Sequence, residues 1–251
     1  MLSGVPNFRD AGGYATGHGV PLRRGVLYRS GRPAQATAAD VATLRELGVS
    51  TIVDLRWPDE RRRHPTGPWA EALEAITSDA GGDIDPWPGF LRDSDLSAAT
   101  LEDYIRRFYA GAAFEVRHVD LFSRYFQALG AGDGALLVHC TGGKDRTGLL
   151  IALTHHLLGV HRDDILADYL ATNRHWPFDV HSAEVTASLA AAHGSVVPTE
   201  AAVRVVMEVR PDFLDAAFQA ITRRHGSVDG YLDQGLGVSA DLRDRILARL
   251  V

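Results

Sequence analysis

The chain has one cysteine, two methionines and, among 26 basic residues, a single lysine, Lys144. One cysteine excludes an internal disulfide and any zinc site built on paired thiols, and 251 residues are enough to close a core without either. Long apolar runs are also missing. Residues 149–160 form the best of them, too short to span a bilayer and interrupted by His155 and His156, so no integral membrane segment is expected. Residues 1–10 lack the basic stretch followed by an apolar one that marks an export signal, which reads as a cytoplasmic protein. A net charge of −6 argues against nucleic acid as a partner. What remains is ordinary globular composition, 45% hydrophobic and 23% charged, with no repeat, low-complexity tract or linker. One domain over residues 1–251 is expected.

Strand-like and helix-like segments alternate in the first hundred residues. Residues 25–30 read as a strand. Residues 37–47 read as a helix, with Thr37 as N-cap, Val41, Leu44 and Leu47 on one face and Gly48 as stop. Residues 50–55, β-branched and apolar, read as a buried strand. Pro58 then suits the first turn of a short helix, with Asp59 and Glu60 near its positive end. Residues 73–77 are a further strand candidate, and residues 78–97, rich in Asp, Gly and Pro, read as a loop.

Two apolar stripes follow, Tyr104, Ile105, Phe108 and Tyr109, then Leu121, Phe122, Tyr125 and Phe126. They predict one long helix or two abutting ones over residues 100–129. Residues 135–139 read as a short buried strand, followed by a polar, glycine-containing loop and a helix from about Thr147 to Leu158. Further helices are expected at 163–173, at two weaker segments between 181 and 208, at 211–225 and at 241–250. The pattern predicts an α/β fold with a mostly parallel central sheet flanked by helices and a helical C-terminal region.

Residues 138–148 read Val-His-Cys-Thr-Gly-Gly-Lys-Asp-Arg-Thr-Gly. A short loop ending at a helix N-terminus turns backbone N–H groups inward and makes an anion nest backed by the helix dipole. Gly142 and Gly143 permit positive φ and close approach of backbone to ligand. Arg146 can grip two oxygens of a tetrahedral oxyanion. Helix N-termini and nearby cations also favour thiolate over thiol, so Cys140 is expected to be a charged nucleophile attacking phosphorus, giving a cysteinyl-phosphate that water hydrolyses. Thr147 is placed to hydrogen-bond the sulfur, and His139 to orient the loop. Thr141, Gly142, Gly143, Lys144 and Thr147 form the expected substrate cradle. Coding bias that replaces lysine by arginine everywhere else leaves Lys144 as a residue wanted for its compact ammonium, or as chance. Asp54 and Arg56 end a strand where α/β ligands bind. Asp54 either holds Arg146 or Lys144 in place or belongs to an ordinary ion pair. The histidine pair His155–His156 projects about 100° apart on a helix and makes no metal site. The chemistry requires no metal or cofactor. A non-catalytic phosphate-binding module would need no thiol, and a redox cycle would need a second one.

The run HCTGGKDRTG resembles the signature of the cysteine-dependent protein tyrosine phosphatase superfamily, and of its bacterial branch in particular. Asn7-Phe8-Arg9-Asp10 with Gly12-Gly13-Tyr14, Leu27 to Gly31, Val53 to Arg56 with Pro58 and Glu60, and the tail around Tyr231 to Ser239 carry the same likeness. The resemblance implies Cys140 as nucleophile, Arg146 as phosphate clamp and Asp145, inside the loop, as general acid. It implies phosphotyrosine in proteins as substrate, with dual specificity or phosphoinositides, which Lys144 accompanies, as extensions; a phosphoinositide or small-metabolite phosphatase is the rival. It also implies Asn7, Arg9 and Asp10 bracing the loop from behind, and a candidate helical lid over residues 174–210. Trp57-Pro58-Asp59 spells the acid-loop motif of better-known relatives but lies too far upstream of Cys140; Asp59, Asp83 and Asp85 are the minor candidates for the acid.

Overall fold

A computed structural model describes residues 2–194 and 196–251. Met1 and Ser195, which fall in the amino-terminal stretch and in the candidate lid, lie outside the described residues. Five strands form one sheet in the order β1-β2-β5-β3-β4: β1 (Arg9–Asp10), β2 (Leu27–Ser30), β3 (Val49–Asp54), β4 (Glu74–Ile76) and β5 (Ala135–His139). Among the named strands of the described residues, only β1, a strand the sequence pattern did not show, pairs antiparallel; the other pairings are parallel. The expected α/β architecture is therefore present.

β5 runs through the centre and is buried along its whole length. Its side chains alternate, Leu136 and Val138 entering the larger core cluster and Ala135 and Leu137 the smaller one on the opposite face. Register places Ser30 and Asp54 on either side of His139. The residue after His139 thus leaves the sheet at its carboxyl edge, between two neighbouring strand ends.

Among the described residues, helices precede, separate and follow these strands along the chain. α1 (Ala38–Glu46) starts at Thr37, whose hydroxyl accepts from the Asp40 N–H at 3.1 Å while Asp40 accepts from the Thr37 N–H at 2.9 Å. α2 (Pro58–Arg63) opens on Pro58, and the Trp57 N–H donates to Glu60 Oε2 at 2.8 Å. The segment expected as loop over residues 78–97 instead contains α3 (Pro86–Asp93), with Asp85 accepting from the Trp87 N–H at 3.0 Å. Its prolines sit in the first turn, where no N–H is needed, and Phe90 stacks on Tyr104 with ring centroids 3.9 Å apart.

The long apolar region resolves into two helices, α4 (Ala98–Ala112) and α5 (Val116–Ala131), broken where Glu115 caps the second through the N–H groups of Arg117 and His118. α6 (Asp145–Leu157) begins at Asp145, two residues before the expected start, and α7 (Arg162–His175) follows. α8 (Phe178–His193) packs on α3, and α9 (Glu200–Met207) packs on α4. α10 (Pro211–His225), α11 (Val228–Gly230), a π turn (Tyr231–Gly235) and α12 (Ala240–Leu250) complete the chain. Among the described residues, no helix is long and apolar enough to cross a membrane.

Candidate active site

Cys140 follows β5 and is 2% exposed. The loop from Cys140 to α6 is tied from outside by its carbonyls. Thr141 O accepts from the Arg32 N–H at 2.9 Å, Gly142 O from Asn7 Nδ2 at 3.2 Å, and Gly143 O from Asn7 Nδ2 and an Arg29 Nη, both at 2.9 Å. In a trans peptide the N–H points opposite to the preceding carbonyl. Drawing these carbonyls outward therefore turns the amides of Gly142, Gly143 and Lys144 towards the other side, as an anion nest requires. Gly143 has φ +64°, and a Cβ there would lie 2.3 Å from the Ser30 carbonyl, so the position is closed to any side chain. The brace itself is charged and buried. Arg29 donates to Asp168 Oδ2 at 2.5 Å, and Arg9 Nε lies 3.3 Å from Asp168 Oδ1. Burial would raise the Asp168 carboxyl, but the two guanidinium charges hold it down at about 2. Asn7 and Arg9 thus stand behind the loop; the Asp10 carboxylate accepts from the Gly12 and Gly25 N–H groups instead.

Arg146 is aimed by a carboxylate that the sequence pattern marked only as a helix-start residue. Its two Nη atoms donate to Glu60 Oε2 at 2.5 Å and Oε1 at 2.9 Å, and the Thr141 hydroxyl also donates to Glu60. Burial alone would raise Glu60, yet the Arg146 charge and these hydrogen bonds hold it at about 2. Of the two roles open to Asp54, it does not hold Arg146 or Lys144 but belongs to an ordinary ion pair. It binds Arg56, with Nε to Oδ1 at 2.8 Å and an Nη to Oδ2 at 2.6 Å, and stands 3.7 Å from His139 Nε2. Arg56 folds back on its own strand end, whereas Glu60 is carried a turn further by α2 and reaches the loop. His139, held neutral by burial, turns Nδ1 towards the Cys140 carbonyl at 3.2 Å.

The expected bond from Thr147 to the sulfur is not formed. Its hydroxyl is buried with no hydrogen-bond partner among the described residues, in keeping with the weakness of a thiol as acceptor. Lys144 reaches along the rim: Nζ donates to the Val206 carbonyl at the end of α9 and lies 3.5 Å from Asp145 Oδ2. Asp145 Oδ1 accepts from the Tyr109 hydroxyl at 2.8 Å.

Above the loop opens a cavity of about 350 Å³, lined by Cys140, Thr141, Gly142, Lys144, Asp145 and Arg146 from the loop and by the aromatic residues Trp57, Trp87, Tyr104, Phe108 and Trp176. Val185, Val206 and Met207 bring residues of the candidate lid to the same cavity. His118 lines it too, and burial pushes its ring down to about 4, so it is neutral at pH 7. Of the minor acid candidates, Asp85 also lines the cavity, its carboxyl raised by burial and then by the Glu60 charge. Asp59 pairs with Arg63 and accepts from the Asp85 N–H, and Asp83 faces Arg62 at 3.5 Å on the surface. His155 and His156 part company, one bound to the Ala11 carbonyl at 2.8 Å, the other 3.5 Å from Asp229.

The chain is 37% identical over 248 residues to a Cupriavidus necator protein assigned by name to the tyrosine-protein phosphatases, covering 97% of this chain and 86% of that one. It is 31% identical over 268 residues to the triple specificity protein phosphatase PtpB of Mycobacterium tuberculosis, covering 94% and 93%. A tyrosine-protein phosphatase of Nostoc commune matches at 29% over 148 residues, covering 57% of this chain and 47% of that protein. A family model described as the tyrosine phosphatase family matches residues 1–251, and the chain belongs to that family.

Proposed function

We propose that this phosphatase works through a covalent cysteinyl-phosphate. The Cys140 thiolate attacks phosphorus, the bond from phosphorus to the leaving oxygen breaks, and Asp145 gives its proton to that oxygen. Water then attacks the phosphocysteine, Asp145 takes a proton from it, and the sulfur–phosphorus bond breaks to restore the thiolate. Inward amides of Gly142, Gly143 and Lys144 and the guanidinium of Arg146 hold the phosphoryl oxygens, with Thr141, which also lines the cavity, completing the cradle. One observation carries the reading: Cys140, Asp145 and Arg146 line a single cavity. Asp85, whose raised carboxyl lines the same cavity, is the second candidate for the proton donor.

Phosphotyrosine in proteins is the proposed substrate. Aromatic walls suit a flat aryl ring, and among the lining residues only Lys144 and Arg146 are permanent cations. The relative named for triple specificity supports phosphoserine and phosphothreonine as further substrates. A phosphoinositide headgroup is less well served, because Lys144 is engaged by Val206. Residues 174–210 are read as a lid within a single 1–251 phosphatase domain. A single, readily oxidised thiol points to the reducing cytoplasm as the place of action. The experiment is Cys140→Ser with para-nitrophenyl phosphate and rapid-quench mass spectrometry. Turnover and the phosphoenzyme mass are expected to vanish while vanadate binding persists; unchanged turnover would remove Cys140 as nucleophile.

A further inference from the structure

Two tyrosines lie behind Asp145, and the scheme above uses neither. Tyr109 comes from α4 and Tyr169 from α7, with 0% and 1% exposure. The Tyr109 hydroxyl donates to Asp145 Oδ1 at 2.8 Å and lies 2.7 Å from the Tyr169 hydroxyl. Each phenol has one proton to donate. That of Tyr109 is committed to the carboxylate, so Tyr169 donates to Tyr109 and the line runs one way. Burial pushes both phenols well above their ordinary value, so both remain donors.

The rings have no room to turn. Tyr109 is stacked on Phe213 with centroids 5.8 Å apart and meets Tyr169 edge-on at 6.3 Å. Tyr169 packs so closely on α6 that a Cβ at Gly148 would come within 2.9 Å of its ring. A protonated carboxyl carries its hydrogen on one oxygen. With Oδ1 occupied as an acceptor, the proton belongs on Oδ2, the oxygen 3.5 Å from Lys144 Nζ.

We propose that Tyr109, held in line by Tyr169, is a positioning residue that selects Oδ2 of Asp145 as the oxygen exchanging the proton. The inference rests on Asp145 being the general acid. As the Oδ2–H bond breaks and the leaving oxygen takes the proton, the carboxylate charge is met by a hydroxyl already in place. In the second step Oδ2 receives a proton from the attacking water.

The test sets Tyr109→Phe, Tyr169→Phe and Asp145→Asn side by side on para-nitrophenyl phosphate, whose leaving group needs little protonation, and on an alkyl phosphate, which needs it fully. Tyr109→Phe is expected to lower kcat on the alkyl ester about tenfold with KM unchanged, and less than about twofold on the aryl ester. Tyr169→Phe is expected to follow the same pattern more weakly. A purely structural loss would reduce both substrates alike. If Asp145→Asn is selective and Tyr109→Phe is not, the positioning role is overturned and the acid stands. If Asp145→Asn is itself unselective, the acid reading fails and takes the positioning role with it. Should circular dichroism show Tyr109→Phe unfolded, Tyr169→Phe decides: a selective loss supports the relay, and an equal loss or none overturns it.

Discussion

Replacing Glu60 by glutamine removes one negative charge from beside Arg146 and keeps the shape of the side chain. Glu60 is 7% exposed. Burial raises its carboxyl, but the Arg146 charge, the paired hydrogen bonds from Arg146, the Thr141 hydroxyl and the Trp57 N–H together hold it at about 2, against an ordinary 4.5. A carboxyl depressed in the folded state contributes stability that is complete above its unfolded value and is lost as pH falls through its folded value. The difference corresponds to about 3 kcal/mol. Glutamine imitates the protonated acid, so Glu60→Gln is expected to be less stable than wild type by about 3 kcal/mol at pH 7. In a chain of this size that lowers Tm by roughly 6–12 °C. The gap should close progressively as pH drops from 4.5 towards 2. Urea unfolding of both proteins at pH 7, 5 and 3 measures it. A gap of equal size at every pH, or none at pH 7, would refute the assignment of Glu60 as the charged partner of Arg146.

Asp168→Asn leaves Arg29 and Arg9 facing each other without their shared counter-charge, and breaking such a buried pair costs about 3–5 kcal/mol; thermal unfolding should show the loss, with activity falling as the loop loosens. A neutral result would mean that Asn7 alone braces the loop. Gly143→Ala meets both a positive φ and the Ser30 carbonyl, so it should lower turnover and oxyanion affinity together. Retained vanadate affinity in that variant would contradict the inward-amide geometry.

That Cys140 and Arg146 would line one site was legible because they are a local pattern: the loop that joins them is fixed by its own glycines and by the helix that follows. Their supports were not. Arg29 and Asp168 meet across 139 residues of chain, and no local spacing records such a pair. Tyr109 read as one member of an apolar helical stripe, and its ring does pack that way; only the hydroxyl at its tip has other work. Asp54 and Glu60 show the same limit from the other side. Both are acidic residues near a strand end, and which one reaches Arg146 depends on the turn that α2 adds. α3 was misread because Asp85, Pro86, Pro88 and Gly89 look like loop punctuation, although an Asp followed by Pro is also how a helix begins. The mostly parallel sheet, by contrast, was legible from its apolar strand segments and the helices between them, while its strand order and the antiparallel β1 were not.

Everything in the proposed chemistry requires that the sulfur of Cys140 be ionised before substrate arrives, held by the inward amides and by Arg146. The rate of inactivation by iodoacetate across a pH series reads this directly, with para-nitrophenyl phosphate turnover as the readout and vanadate as protector. The expected result is fast, vanadate-protected alkylation that is already at its plateau in mildly acidic buffer. A rate that stays negligible until alkaline buffer and then climbs, as for an ordinary thiol, would contradict the account.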